Sequence, residues 1–401
     1  MRVWKAVPQC GIALLFWTNT RLKLAIFVLV IIESFSPVLP NTALVASADA
    51  FFSVVKHDYL NYRNRGMFLE HPEKCMLVYR LRENDSSYLG LITGLPAEQY
   101  ASGKIKKHEG TLAVSEQQQL QLLVLREAVV KPVLLTYPAV SAIDKKLQEV
   151  ADTQEPFLLI EDGDSIRHEL FEVNQGSEAE EFFKSAFAKT VDSLYIADGH
   201  HRCSTLSLYN REQKVRGEKE VPLLAALFSS RQVNVQAFHR SLQLPVDLSP
   251  LALVAKLSDL CEITPLAEPE VPKERHHMTL LIGDESFSLC WREKVFSERE
   301  SSGDPKDKIA LDAGLFNELI AAPIFGITDV RTDERISYIP GNKGLRGMLD
   351  RVQRRTDRVG FMLFGIEAED LFEIVDAGLI MPPKSTWFEP RLRNGLVVLE
   401  V

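Results

Sequence analysis

The segment Leu194-Tyr195-Ile196-Ala197-Asp198-Gly199-His200-His201-Arg202 constrains this chain more than any other. A short apolar run reads as a buried strand. Asp-Gly ends it, and a helical pattern follows to about Arg216, with Gly217 as its stop. A strand that turns through glycine into a helix leaves backbone N–H groups unpaired at the turn. The aligned peptide dipoles add roughly half a positive charge there. Such a turn can seat a phosphate. Gly199 permits a left-handed backbone and the close approach of a ligand. Asp198 offers a base or a metal ligand. Arg202 offers a planar, two-pronged grip on phosphate or carboxylate. His200 and His201 are adjacent, so on a helix they cannot share a face. His200 is a candidate acid or base, and His201 a candidate phosphate contact. The competing reading is an Asp-capped helix with Arg202 in a structural ion pair.

The chain has 401 residues, enough for two ordinary domains. Its formal net charge is −9. That argues against a nucleic-acid partner, because phosphate backbones are held by clustered Lys and Arg. The basic run Arg351–Arg358 reads as a solvated helix face. The five cysteines are scattered and never in Cys-x-x-Cys spacing, which points to a reducing compartment and against a thiolate zinc site. Leu24–Ile32 is an unbroken apolar run behind Arg21 and Lys23. It is shorter than the roughly 20 residues of a membrane span. It resembles the apolar core of a signal peptide, with Ala46-Ser47-Ala48 as a small-residue cleavage site. The expected location is cytoplasmic, with export or membrane association through residues 1–48 as the alternative.

Strands and helices interleave without strict alternation, so the expected class is α+β, with mixed sheets and flanking helices. The expected divisions are an atypical apolar segment over 1–48, an anion- or nucleotide-binding α+β domain over 49–245, and a C-terminal α+β domain over 246–401 that closes the site with its 381–393 loop. The boundary is taken from Pro245 and Pro250, and Glu298–Asp307 reads as a loop or linker.

Two further segments carry chemistry. Lys107, His108 and Glu109 lie in a polar loop that also holds Lys106 and Thr111. Glu109 is a candidate base or metal ligand, His108 a candidate acid or base, and Lys107 a candidate phosphate contact. The alternative is a solvated loop. The stretch Met381–Arg393 is stiffened by prolines. Lys384, Ser385, Thr386 and Arg391 can complete a pocket for an anionic ligand. The alternative is a clasp that packs Trp387 and Phe388 into the core. His239-Arg240 reads as part of a structural ion pair, and His168 and His276-His277 as surface. The glycine frames of dinucleotide and Walker-type loops and the motifs of zinc proteases and serine hydrolases are absent from the sequence.

Three motifs in this order resemble the bacterial domain-of-unknown-function 1015 family. They are Lys107-His108-Glu109-x-Thr111, Tyr195–Arg202, and Met381-Pro382-Pro383-Lys384-Ser385-Thr386-Trp387-Phe388-x-Pro390. Phe238-His239-Arg240, Leu311-Asp312 and Pro323–Ile327 resemble further stations of it. The Asp-Gly-His-His-Arg turn is also similar to the phosphate motif of the ParB and sulfiredoxin-like fold. That resemblance implies a ParB/sulfiredoxin-like N-terminal portion, a bound nucleotide with Mg²⁺, and phosphoryl transfer. Gly199, His201 and Arg202 would cradle phosphates, and Glu109 or Asp198 would act as base or metal ligand. The sequence departs from the family where an Asp-Arg pair becomes Gln118-Gln119, where Gly110 replaces a basic residue and Cys203 an aromatic, and before Asp49, where a Pro-Pro-Tyr-Asp-Val segment is missing. The expected function is a nucleotide-dependent enzyme on a small metabolite, transferring a phosphoryl group or hydrolysing the nucleotide. The alternative is a regulatory module that binds a nucleotide or another anionic metabolite without turnover.

Overall fold

The computed structural model describes residues 13–15, 24–26, 29–83, 85–110, 113–163, 166–300 and 311–401. Thr111, residues 27–28 of the N-terminal apolar run and residues 301–307 of the expected linker lie outside them. The chain divides into two compact units. One comprises Met1–Lys106, Thr111–Gln232 and Leu392–Val401, and the other Lys107–Gly110 and Val233–Arg391. Both mix strands and helices, which is the α+β class expected.

The first unit is built on an eight-stranded mixed sheet. Its strand order is Leu158–Glu161, Arg167–Asn174, Cys75–Glu83, Ser86–Leu95, Leu223–Ser229, Val133–Tyr137, Leu194–Asp198 and Ile105–Lys106. Period-2 alternation sorts the side chains. Val133, Leu135 and Tyr137 join Leu194 and Ile196 on one face, against Leu147, Phe183, Phe187 and Leu206 of the helices. Each such side chain contributes about 1.5–3 kcal/mol when fully buried. The opposite face carries Tyr79 and Phe228, whose rings meet edge-on at 6.2 Å.

Residues 30–48, set apart in the sequence reading, are part of this unit. Val30 and Ile32 are buried while Leu29 and Ile31 are exposed. The apolar run thus hides a strand-like alternation. Val38–Pro40 pairs with Phe68–Glu70. Ser47 caps the helix Ala48–Asn64, accepting from the Ala50 N–H. Among the described residues, no helix is long and apolar enough to cross a membrane.

The second unit holds a six-stranded sheet in the order Cys261–Leu266, Glu285–Trp291, His277–Ile282, Arg358–Leu363, His239–Gln243 and Ile336–Ile339. Every pairing is antiparallel. Val359, Phe361 and Leu363 face one apolar cluster with Phe316 and Phe325. Met362 faces the other, with Met348 and Val352. A Cβ on Gly360 would lie 2.6 Å from Met348 Sδ, so glycine is what lets the helix Gly344–Val352 approach. The division falls at 232/233 rather than at Pro245, because His239–Gln243 is an inner strand of this second sheet. The Arg351–Arg358 run is not one helix face. The helix ends at Val352, and Arg358 opens a strand and donates to Ser241.

Candidate anion-binding site in the first unit

Strand Leu194–Asp198 runs antiparallel to Val133–Tyr137, and the register slips between Ile196 and Asp198. The extra residue, Ala197, forms a bulge, a device that re-aims the side chain beyond it. Gly199 follows at φ 111°, ψ 27°, as the N-cap of the helix His200–Arg216. No side chain caps this end of the helix. The helix dipole places positive charge at this end, which favours an anion. The same helix stops at Gly217, left-handed at φ 75°.

Gly199 is required for two reasons. Its φ lies where side chains are strained. A Cβ there would also stand 2.7 Å from Arg202 Nη2 and 3.0 Å from Val133 Cγ1. The guanidinium lies directly over the glycine. Arg202 Nη2 donates to Asp198 Oδ2 at 2.9 Å, and Lys131 Nζ donates to the same oxygen at 3.3 Å. One carboxylate thus orients two cations. Asp198 is a clamp on these cations, and the ion pair of the competing reading is present.

Arg202 and Lys131 both line a cavity of about 260 Å³. Its other charged lining residues are Lys56 and Arg126. Leu122, Leu123, Leu206 and Leu223 supply an apolar wall. Among the described residues, no aspartate or glutamate lines it. A cavity bordered by cations and partly walled by hydrocarbon strengthens each charge–charge contact, because little water screens it. Cys203, beside Arg202, is fully enclosed, and burial pushes its thiol up to about 12. It is not a nucleophile at neutral pH.

His200 is buried and His201 half-buried, and neither lines the cavity. His201 Nδ1 is enclosed with no hydrogen-bond partner among the described residues. The remaining expected site residues belong to the second unit. Lys107 is exposed, Glu109 is half-buried, and His108 is buried with its ring 6.0 Å from that of Phe388. The Met381 N–H donates to the His108 carbonyl at 2.9 Å. Lys384 is left-handed at φ 58°, with Nζ 5.0 Å above the Phe238 ring. Ser385 donates to the Pro382 carbonyl at 2.6 Å, and Thr386 is buried. Arg391 stacks on Trp387 at 3.6 Å. Of the two aromatics that the clasp reading packs into the core, Phe388 is buried and Trp387 is half-buried.

Two expectations of residue environment change. His168 is not on the surface. It is fully buried, with Nδ1 2.7 Å from the Tyr79 hydroxyl. Among the described residues, Arg240 has no ion-pair partner. Its guanidinium is completely buried, donates to the carbonyls of Phe238 and Lys384, and faces the rings of Phe316 and Tyr338.

Sequence reasoning missed Lys131, Arg126 and Lys56. The first has a signal in retrospect, a cation and a proline directly ahead of a buried strand. Arg126 has another, since it closes an apolar stripe with Leu122 and Leu123 at helical spacing.

The fold and the site define a mixed α+β protein with a cationic cavity beside a strand–glycine–helix turn. The family described as "Protein of unknown function (DUF1015)" matches residues 38–313, more than half of the chain. The chain belongs to that family. A comparison with curated proteins finds no match. Among solved structures, the chain is similar to SbnI with C-terminal truncation from Staphylococcus aureus, at 14% identity and TM-score 0.38, covering 76% of this chain and 85% of that one. It is similar to a free serine kinase variant in complex with ADP, at 16% identity and TM-score 0.33, covering 78% and 94%. A conserved hypothetical protein from Pyrococcus furiosus follows, at 14% identity and TM-score 0.33, covering 73% and 91%.

Proposed function

We propose that the first unit binds a nucleotide through its phosphates at the Gly199–Arg202 turn, and that the chain is a nucleotide-dependent enzyme acting on a small metabolite. One observation carries the binding. Arg202, oriented by Asp198, lines a cavity whose other charged lining residues are all cations. This donor set fits phosphate oxygens. Guanidinium and ammonium groups neutralise their charge, and the helix N-terminus adds its dipole.

Asp198 suits a Mg²⁺ ion less well, because its Oδ2 already serves Lys131 and Arg202. We assign it the orientation of those cations. Phosphoryl transfer or nucleotide hydrolysis is the finer reading. Positioning and charge neutralisation supply most of the catalysis in that chemistry. Its general base is proposed from the sequence alone, as Glu109.

Isothermal titration of the full chain with ATP, ADP and CTP, with and without Mg²⁺, tests the reading. Heat of binding is expected in the wild type and a loss of about 10- to 100-fold in affinity in Arg202→Ala. The absence of heat with every nucleotide removes it. The second reading, a binding module without turnover, is favoured by Gln119, one of the two glutamines at the departure from the family pattern, which lines the cavity. It predicts a thermal shift with ligand and no product. Product formation that disappears in Glu109→Gln decides for the enzyme.

A further inference from the structure

The helix Ala113–Arg126 turns Gln119, Leu122, Leu123 and Arg126 toward the cavity. Their spacing of three, four and seven residues makes one stripe, and that stripe ends on a guanidinium. Arg126 is half-buried, and its Nε has no hydrogen-bond partner among the described residues. Burial holds its pKa below the usual arginine value, with no charged neighbour contributing. Lys56, from the helix Ala48–Asn64, lines the same cavity.

A buried cation without a counter-charge is costly. Among the described residues, no carboxylate lines the cavity. Asp198, beside its Arg202 wall, is engaged by Lys131 and Arg202, and Glu116, next to the lining Thr205, accepts from Ser204. The cluster therefore keeps a surplus of positive charge at its Arg126 end. A single phosphoryl group at the Gly199 turn would leave that end uncompensated. A second anionic group on the same ligand would satisfy it.

We propose that Arg126 is a second anion anchor of this cavity, and that the occupant is an organic polyphosphate, a nucleoside di- or triphosphate, in preference to a monophosphate. The proposal rests on the reading of the Gly199–Arg202 turn as a phosphate seat, and adds the residue that selects for chain length. The apolar wall of Leu122, Leu123, Leu206 and Leu223 suits the non-phosphate part of such a ligand. It gives a nucleotide an advantage over inorganic pyrophosphate.

The test is isothermal titration of the full chain with AMP, ADP and inorganic pyrophosphate, comparing wild type with Arg126→Gln and Arg126→Met. Wild type is expected to bind ADP more tightly than AMP or pyrophosphate. Loss of one charge-assisted contact should weaken ADP about 10- to 100-fold. AMP should change by less than about 3-fold, since it lacks the second phosphoryl group. Returning a guanidinium to the same stripe, in Arg126→Gln combined with Gln119→Arg, should recover part of the ADP affinity. Equal losses for AMP and ADP, or no loss for either, overturn the proposal while leaving the Gly199 turn intact. No heat with any probe in wild type removes the turn reading, and this proposal with it. Arg126→Met keeps the aliphatic stem, so a melting curve on each variant separates misfolding from lost binding.

Discussion

The two units each enclose arginines, and they treat the charge in opposite ways. In the second unit, Arg240 is wholly buried, with its terminal nitrogens answered internally and its Nε without a hydrogen-bond partner among the described residues. Two backbone carbonyls accept from it, and two aromatic faces flank it. In the first unit, Arg126 borders a cavity with an unmet Nε, and Arg202 shares one carboxylate oxygen with Lys131. A buried cation with no cavity beside it, whose terminal nitrogens are answered by carbonyls of its own chain, is part of the scaffold. A cation held at the edge of a cavity is poised for something from outside. The difference lies in where the acceptors are, since both kinds of site use the same residue type.

The same substitution in both units is the sharpest way to break this contrast. Arg240→Met orphans two carbonyls and empties the space between two rings. It should cost about 3–4 kcal/mol in chemical denaturation. Arg126→Met removes an uncompensated charge, and should leave stability within about 1 kcal/mol of wild type or raise it. Equal losses would erase the distinction.

Acid titration treats the units alike, and so provides a control. Each contains a buried histidine with a depressed pKa, His168 in the first and His239 in the second. Burial is the main cause that lowers both from 6.5 to about 4. A depressed histidine pKa means the fold favours the neutral ring. Its stabilising contribution is complete above about pH 6.5, and is lost as pH falls from there toward 4. Each should cost about 2 kcal/mol of stability between pH 7 and pH 5. Urea midpoints at the two values measure it. Replacing either ring by leucine should remove about half of the pH-dependent loss, and an unchanged slope would contradict the assignment.

Gly199→Ala probes the turn itself. Strain at φ 111° and the 2.7 Å approach to Arg202 Nη2 should lower stability by about 1–2 kcal/mol. The same variant should weaken ADP, because the guanidinium must move. The smallest effect is expected from Lys131→Met. It keeps Asp198 paired with Arg202, so ADP should weaken by roughly 3- to 10-fold, with stability changed by under about 1 kcal/mol. A larger loss than in Arg202→Ala would reverse the ranking of the two cations.

Local features of this site were legible in the sequence. The apolar strand, the left-handed Gly199 and the stop at Gly217 are written in neighbouring residues, and the helix runs to Arg216 as that pattern implies. The cavity was not legible. Lys131 reaches Asp198 across 67 positions only because Val133–Tyr137 pairs with Leu194–Asp198. Arg126 enters through the packing of a helix whose pattern alone does not say what it covers. The alternation at 29–32 was concealed because exposed and buried positions are both apolar. His168 reads as surface beside Arg167 and Glu169, but it is fully buried, and Tyr79 answers its ring. Arg240 misled because carbonyls and ring faces leave no mark in the sequence as counter-groups.

Hydrogen–deuterium exchange of the full chain, with and without ADP, locates the binding directly. The account predicts slowed exchange in peptides covering 119–126, 130–133 and 199–206, with Arg202→Ala abolishing it at the same ADP concentration. Protection confined to 381–391, or none in the three predicted segments while ADP binds, would contradict the assignment of the Gly199 turn as the phosphate seat.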